Sequence, residues 1–545
     1  MIVPMKHLTL LCVAEESEKA LEALRDLGCV HLDLSGAASS AYAAAKGDLD
    51  KAAEAVRTVE KAKKDAPLPA GANSVRRTVE EVAALAAARE EAASAADELR
   101  RQVAFYAPFG DFDPELAKSL LDRGIDLSSV CTLPEPLPKA RLSSLQDQLA
   151  VQEAKIAACT ADLAGTDESW ITAKYPELKD RVAFEAARDV LATQGAVSWI
   201  EGWVSVDCVP RLRAKAVTEA WGLLVRDAEP GENPPTLIRP PKLFRPVAAL
   251  FEGLGIAPGY SESDVSVPFM CYFSLFFAML VGDGAYGAIF LAATLWGWHK
   301  TKPKEGTGHR PRVVRSWLGL MTVFSAATVV WGILSNTWFG AQIPWCKNWP
   351  TVQWLADPSY QNMMFLCFTI GASHLVLARL WNGICMASSA ACLPEFGWAG
   401  ILVFMYFVVN AIVGISSGVP AWSYWLFGAS LALVIAKTRG VALGMLPLNV
   451  MSAMGDIISY VRLFAVGYAS LQVAQNFNRM ALELDLPTWG KIVPMVCILL
   501  IGHGINFVLA GLSVLVHAVR LNTLEFSNHK GLTWSGYAFS PFKKH

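Results

Sequence analysis

Between residues 263 and 526 the chain is a succession of eight apolar runs, at about 267–281, 284–298, 316–336, 361–381, 398–416, 421–436, 452–478 and 490–521. In lipid every backbone N–H and C=O must be paired within its own segment, so runs like these can only fold as a bundle of membrane helices. The first two are short and share a Gly-Asp-Gly-Ala-Tyr-Gly break at 282–287. Such a break is tolerable only if its freed backbone groups are buried in protein. The pattern around the seventh run stays helical from Asn449 to Met480. At 1.5 Å per residue that is about 45 Å, more than a hydrocarbon core of about 30 Å, so this helix must tilt or protrude.

The first half is different. Residues 1–262 are rich in Ala, Glu, Lys, Arg and Asp. Residues 5–13 alternate like a strand, 15–27 read as a helix and 30–34 as a second strand, a compact βαβ start. Three Ala-rich stretches, 40–65, 74–106 and 142–163, are good helix formers, with a break from Phe105 to Pro114. They could pair as an antiparallel coiled coil with small α/β lobes at the ends. Residues 196–206 read as a strand, and the proline-rich stretch 234–241 as a connector. The fold class expected is therefore an α-helical membrane protein with an α/β plus coiled-coil N-terminal domain. Its divisions are 1–262, a transmembrane domain at 263–526 and a C-terminal tail at 527–545.

Composition excludes several classes. With 53% hydrophobic residues, 18% charged and 18 Trp, the chain is too apolar for one soluble domain. A net charge of −2 and the lack of a long basic tract argue against a nucleic-acid partner. The 11 cysteines are scattered with no CxxC pair, so neither a disulfide framework nor a zinc site is expected. Residues 1–25 carry Glu15, Glu16 and Glu18 and no sustained apolar core, so no signal peptide is read there and the N-terminus is placed in the cytoplasm.

Loop charges orient the bundle. The 299–315 loop carries Lys300, Lys302, Lys304, Arg310, Arg312 and Arg315; Lys437 and Arg439 follow the sixth run, and Lys530, Lys543 and Lys544 the last. The opposite loops hold little: Lys347 in 337–360, none in 417–420, and Arg479 and Lys491 at the margins of the last. Even-numbered spans therefore end on the positive side, and with eight spans both termini are cytoplasmic.

Two arginines stand within the last apolar runs. Arg462 lies in Ser459-Tyr-Val-Arg-Leu and Arg520 in His517-Ala-Val-Arg-Leu. A guanidinium at the bilayer centre costs about 2.5–3.5 kcal/mol on insertion scales and stays charged at any physiological pH. Such a cost points to a need for fixed positive charge inside the membrane. At 100° per residue, Gly455, Ser459, Ala465, Ala469 and Ser470 share the neighbourhood of Arg462, flanked by Asp456 and Tyr460. These small residues would let another helix come close. Gly502, Asn506, Ser513 and His517 share the face of Arg520 as a polar stripe. The pair suits an ion path that meets a moving carboxylate on a partner. A lone intramembrane arginine also serves to fix helix packing or snorkels to an interface, a reading more natural for Arg520 near its span end. His374 and His503 on apolar faces read as packing residues, and Asp283 as a cap at the span break.

These motifs resemble a known family. Phe276-Phe-Ala-Met-Leu-Val-Gly-Asp283-Gly-Ala-Tyr-Gly287 looks like the signature of the first spans in the a/I subunits of V-type and A-type rotary ATPases. Ser459-Tyr-Val-Arg462-Leu resembles that family's seventh-helix motif. His517-Ala-Val-Arg520-Leu-Asn-Thr-Leu-Glu525 with Tyr537-Ala-Phe-Ser-Pro-Phe542 resembles its last helix and tail. Gly202-Trp203-Val204 and Pro240-Pro-Lys-Leu-Phe-Arg-Pro246 resemble the soluble half of prokaryotic subunit I. The likeness runs over essentially the whole chain.

The resemblance implies a non-catalytic stator in the plasma membrane, needing no cofactor. Its partners would be a proteolipid ring, peripheral-stalk subunits of the E and G types at the N-terminal domain, a central-stalk cap subunit and membrane lipid. Arg462 would gate two offset half-channels, with Arg520 and His517 beside it and Ser459, Asp456, Asn506, Ser513 and Glu525 as further path residues. Eukaryotic members carry an acidic residue ten positions before the last-helix arginine and a histidine eight after the first; this chain has Ala510 and Ser470. The chain has no GxxxxGK[ST] phosphate loop, so ATP hydrolysis is not expected of it. The competing readings are a self-contained secondary transporter, against which the lack of repeated halves argues, and a non-transporting membrane scaffold.

Overall fold

The computed structural model describes residues 2–66, 74–123, 134, 136–301, 312–357, 359–484 and 487–544. Two compact units emerge, one formed by Met5–Ala228 with Ser540–His545 and the other by Met1–Pro4 with Glu229–Phe539.

The first unit opens with β1 (Met5–Val13), α1 (Ser17–Leu27) and β2 (Val30–Leu32). A helical section follows: α2 (Ser40–Asp65), α3 (Val79–Tyr106), α4 (Pro114–Asp122), α5 (Leu142–Ala164), α6 (Glu168–Ala173) and α7 (Tyr175–Val190). Then come β3 (Ala192–Gln194), β4 (Val197–Ser205), α8 (Val209–Thr218) and β5 (Gly222–Asp227). The sheet order is β2-β4-β1-β5, with β3 on β4. β4 runs antiparallel to both β1 and β2, from Met5↔Ser205 to Val13↔Val197 and from Val30↔Val204 to Leu32↔Gly202. The expected βαβ start is thus a split one, its two parallel strands parted by a strand from 165 residues later. Alternate residues Leu8, Leu10 and Cys12 point into a core shared with Leu21, Leu24, Ile200, Val204 and Leu212. Phe542, from the C-terminal tail, completes that core.

The long helices are held by alanine-rich seams such as Ala52, Ala55 and Ala62 with Val59, Val82 and Leu163. α3 packs along α5 in the opposite direction, as the pairs Arg77–Asp162, Arg100–Glu153 and Asp113–Arg141 require. α3 starts at Val79 instead of residue 74 because its first turn is closed by a capping box. Thr78 Oγ1 accepts from the Glu81 amide at 3.2 Å, and Glu81 Oε2 accepts from the Thr78 amide at 2.8 Å. Val75 is meanwhile extended, pairing with Gly165 and Asp167.

The second unit is helical: α9 (Val247–Leu254), α10 (Ser266–Val281), α11 (Gly284–Lys300), α12 (Arg312–Ser335), α13 (Pro350–Leu355), α14 (Gln361–Cys385), α15 (Cys392–Ile412), α16 (Ala421–Lys437), α17 (Val441–Gly444), α18 (Leu446–Ile458), α19 (Val461–Leu482), α20 (Thr488–Ser513) and α21 (Ser527–Lys530). Among the described residues five stretches are long and apolar enough to cross a membrane: Val314–Ser335, Gln361–Cys385, Cys392–Ile412, Leu446–Leu482 and Gly490–Lys530. The other three expected runs fold as shorter helices, α10 of 16 residues and α11 and α16 of 17. α10 is apolar all round and accordingly central, with Phe269, Phe276 and Leu280 fully buried. Phe273 and Phe277 stack on Phe324 of α12.

The break at 282–287 is satisfied from within the protein. Gly282 ends α10 with φ +68°, a left-handed cap that favours glycine. Asp283 Oδ1 accepts from the amides of Ala285 (2.8 Å) and Tyr286 (3.4 Å), and its Oδ2 from that of Gly340 (2.9 Å). Asp283 is therefore a helix cap, as its position implied. Just beyond it α11 crosses α12 so tightly that a Cβ on Gly332 would stand 2.1 Å from the Gly284 Cα.

Candidate functional site

Neither of the last two apolar runs is a plain α-helix. The seventh divides at a turn, Ser459–Tyr460, between α18 and α19. Arg462 therefore begins α19 rather than lying inside one long helix. Its Nε donates to Ser459 O at 2.8 Å, capping a carbonyl left over by the turn. The Tyr460 ring, fully buried against Gly371, donates its hydroxyl to or accepts from His374 Nδ1 at 2.8 Å. His374 is stacked between Tyr272 and Phe526, the packing role its apolar face suggested.

The last run ends α20 at Ser513 and continues through two π-helical stretches, Val514–Ala518 and Leu521–Phe526. In an α-helix residues five apart lie about 140° from each other; in an i→i+5 turn they come nearly in line. This brings Glu525 beneath Arg520 on one side of the chain. The Glu525 carboxylate is 6% exposed, and Arg462 Nη2 donates to its Oε1 at 2.5 Å. Arg520 Nε lies 3.6 Å from the same oxygen. One carboxylate thus stands between both arginines, its Oε2 buried with no hydrogen-bond partner. Arg462 is 22% exposed and Arg520 57%. His517, on the first π stretch, is half-buried with an unpartnered Nδ1.

The π turns also correct the face reading at the last helix. Gly502 and Asn506 turn inward, Gly502 against Phe477 and Asn506 against Ser470 and Tyr286, whereas the Arg520 side chain is largely exposed. Ser513 is half-buried. Around Arg462 the small residues Gly455, Ala465 and Ala469 are exposed, while Ser470 donates to Asn506 Oδ1 at 3.0 Å. Asp456 does not join the arginine pair. It meets His529 Nε2 at 3.0 Å, and Ser459 Oγ donates to the Asp456 backbone at 2.6 Å.

The His529 link leads to a group of charges that the sequence reading did not join. Arg379 Nε lies 3.2 Å from His529 Nδ1, and its guanidinium meets Glu395 at 3.1 Å. Lys530, 6% exposed, donates to Asn382 Oδ1 at 2.6 Å. Arg379 was readable as a third arginine inside an apolar run, with Glu395 16 residues on. Beside these groups α20 leaves a long apolar face open, including Val493, Leu500, Val508 and Leu512.

The sequence that builds this pairing of two arginines on one buried carboxylate is similar to those of named ATP synthase subunits. V-type ATP synthase subunit I 1 of Treponema pallidum is 28% identical over 634 aligned positions, which cover 100% of both chains. The chain is a homologue of the I subunits of V-type and A-type ATP synthases. V-type ATP synthase subunit I of Borreliella burgdorferi is 34% identical over 377 residues, and A-type ATP synthase subunit I of Methanocaldococcus jannaschii 25% over 469. The chain aligns with 60% and 65% of those two proteins' lengths, less than two thirds of each. These matches cover 64% and 77% of the present chain. No protein-family model matches it. With five helices long and apolar enough to cross a membrane among its described residues, and with these homologues, it is a membrane protein.

Proposed function

We propose that this chain is the stator subunit of a rotary V/A-type ATPase, non-catalytic itself, which passes an ion between two half-channels and a rotating proteolipid ring. The observation that carries the reading is the pairing of Arg462 and Arg520 on Glu525 beside the open face of α19 and α20. A ring carboxylate would lose its ion to one half-channel, pass Arg462 as an anion and reload from the other. Near the gate an ion pair at 4 Å gains about 4 kcal/mol at an effective dielectric of 20. Carrying one charge through 100 mV is worth about 2.3 kcal/mol, so a gate holding the carboxylate a few kcal/mol too tightly would stall. Glu525 supplies the moderation: it already neutralises Arg462, so an arriving anion competes instead of meeting a bare guanidinium.

In this reading residues 1–262 are cytoplasmic and engage peripheral-stalk subunits of the E and G types, with a central-stalk cap subunit nearby. Residues 263–526 span the plasma membrane eight times against the ring and lipid, and 527–545 return to the cytoplasm. His517, Ser459, Asp456, Asn506 and Ser513 line or shape the path. The test is to purify the tagged subunit from its native membrane, identify its companions, and assay ATP-driven ion pumping with Arg462→Ala. Copurification with a proteolipid ring and loss of pumping in an assembled complex are expected. Ion flux by the purified chain alone in liposomes would instead favour a self-contained transporter.

A further inference from the structure

Two cavities meet at His503. One is a vestibule of about 890 Å³ whose walls include Gln475, Asn478, Arg479 and Glu483. The other, about 490 Å³, is apolar, lined by Ile289, Leu500, Gly504 and Phe507, and reaches Tyr286. His503 borders both, with Phe339 and Leu499.

A single line of hydrogen bonds runs through this wall. Ser470 Oγ donates to Asn506 Oδ1 (3.0 Å), and Asn506 Nδ2 donates to Tyr286 Oη (3.0 Å). Tyr286 Oη lies 2.8 Å from His503 Nδ1, and His503 Nε2 lies 3.0 Å from Asn478 Oδ1. The Asn478 amide nitrogen donates to Phe339 O, which fixes its oxygen toward the imidazole. An amide oxygen only accepts, so His503 carries its proton on Nε2 and takes the Tyr286 hydroxyl proton at Nδ1. Every donor in the line therefore points the same way, toward the vestibule. Two helices contribute to the middle of it and a third orients the end, although nothing in helix packing alone requires a polar file here.

We infer that Tyr286 and His503 carry protons between the surface facing the rotor and the vestibule, and that the ion this subunit moves is H⁺ and not Na⁺. The inference rests on the stator reading, in which the rotor covers the apolar groove beside Tyr286. Outward, a rotor carboxylic acid gives its proton to Tyr286 Oη as the Tyr286 hydroxyl proton passes to His503 Nδ1 and the Nε2 proton leaves to vestibule water. The rotor carboxylate is left ionised, Tyr286 is neutral again, and the imidazole is neutral with its proton on Nδ1. The imidazole then swings toward the vestibule it borders, where Nδ1 gives its proton to water as Nε2 takes one, and swings back in the Nε2–H form; inward transfer is the reverse. Asn506 carries no proton; it holds the Tyr286 hydroxyl aimed at the imidazole. A hard alkali cation would need oxygen ligands, and the line offers it an imidazole and no carboxylate. The charged groups around His503 fit this assignment. Asp283 is committed to three backbone amides, and Arg479 and Glu483 stand at the vestibule.

The experiment uses the whole complex in proteoliposomes, with ATP-driven acidification as the readout. His503→Ala is expected to lower pumping by about a hundredfold with unchanged subunit composition. Imidazole added on the vestibule side should restore much of it, in a pH-dependent manner that a packing role would not produce. Tyr286→Phe keeps the ring and should lose pumping without imidazole rescue, and omission of Na⁺ should change nothing in the parent. Full pumping by His503→Ala or by Tyr286→Phe would overturn the proposal, as would a His503→Ala loss that imidazole leaves untouched, or a requirement for Na⁺. Arg462→Ala run in parallel separates the two ideas: if it pumps normally the stator reading fails, and if it is silent while His503→Ala pumps, only the relay fails.

Discussion

The Oε1 atom of Glu525 lies 2.5 Å from Nη2 of Arg462, and the carboxylate that makes this bond is all but closed to solvent. An isolated guanidinium there would be held by whatever anion came next. Glu525→Gln removes the resident charge and leaves Arg462 to bind a passing carboxylate harder. Breaking a fully buried pair costs about 3–5 kcal/mol, and less is expected here because Arg462 is 22% exposed. The expected outcome is a modestly less stable complex whose ATP-driven pumping falls sharply, with Glu525→Asp falling between. Pumping at the parental rate in Glu525→Gln would show that the pair is structural only.

The α11–α12 crossing has no room for a side chain. Gly332→Val would drive a methyl-bearing carbon into the Gly284 backbone, 2.1 Å away before any relaxation. Overpacking usually costs about 1–3 kcal/mol and here should reach or exceed the upper end. Gly428 of α16 has nothing within 4 Å of an added Cβ, so Gly428→Ala should be neutral or gain up to about 1 kcal/mol in helix propensity. Thermal melting of both variants in detergent compares them directly, and equal melting temperatures would refute the crossing argument.

The capping box at the start of α3 makes a smaller claim. Thr78→Ala should cost about 1 kcal/mol through the orphaned Glu81 amide. Hydrogen exchange at Glu80–Val82 should rise first, ahead of any change in α5.

Burial holds the His31 imidazole below its ordinary value of 6.5, outweighing the Ser540 backbone and the Asp33 carboxylate, which act the other way. Below about pH 6.5 the unfolded chain then binds more protons than the folded one, so stability falls as pH drops from there toward the folded value. His31 Nδ1 meets the Ser540 backbone, its carbonyl at 2.9 Å and its amide at 3.0 Å, so the tail is where this loss should appear. Protease cleavage near residue 540 should speed up between pH 7 and 5.5, and His31→Gln should flatten that dependence. A pH-independent cleavage rate would sink the idea.

The large elements were legible because their patterns are strong. Met5–Val13 alternates roughly, the alanine-rich helices hold their period, and the membrane runs stand out by composition alone. What stayed hidden was decided by backbone irregularity and by distance along the chain. The Ser459–Tyr460 turn is invisible in an apolar run with no proline or glycine at the break. The π turns around Arg520 follow from no local composition, yet they shift the end of the last helix by enough to place Glu525 against both arginines and to part the face of Arg520 from that of the inward Asn506. Arg462, Arg520 and Glu525 were nameable from sequence; that they share one oxygen was not. His503 was read as packing because it stands on an apolar face; the partners of its nitrogens, Tyr286 and Asn478, lie 217 and 25 residues before it. No period in the sequence reports a pairing of that kind.

The place of Phe542 in the sheet core sets an order of events during synthesis. β1 leaves the ribosome long before Phe542, and the core behind it is not filled until Phe542, more than 500 residues later, donates its amide to Val30 O at 2.7 Å and packs in the cluster that holds Leu8 and Leu24. Until Phe542 is translated, the sheet core waits with a hole in it while the helices between are made. A ribosome that stalls between Lys530 and Phe542 would therefore deliver a chain with every described helix made and its sheet core unsealed. Such a product is distinguishable, by a protease or a chaperone, from one that was finished.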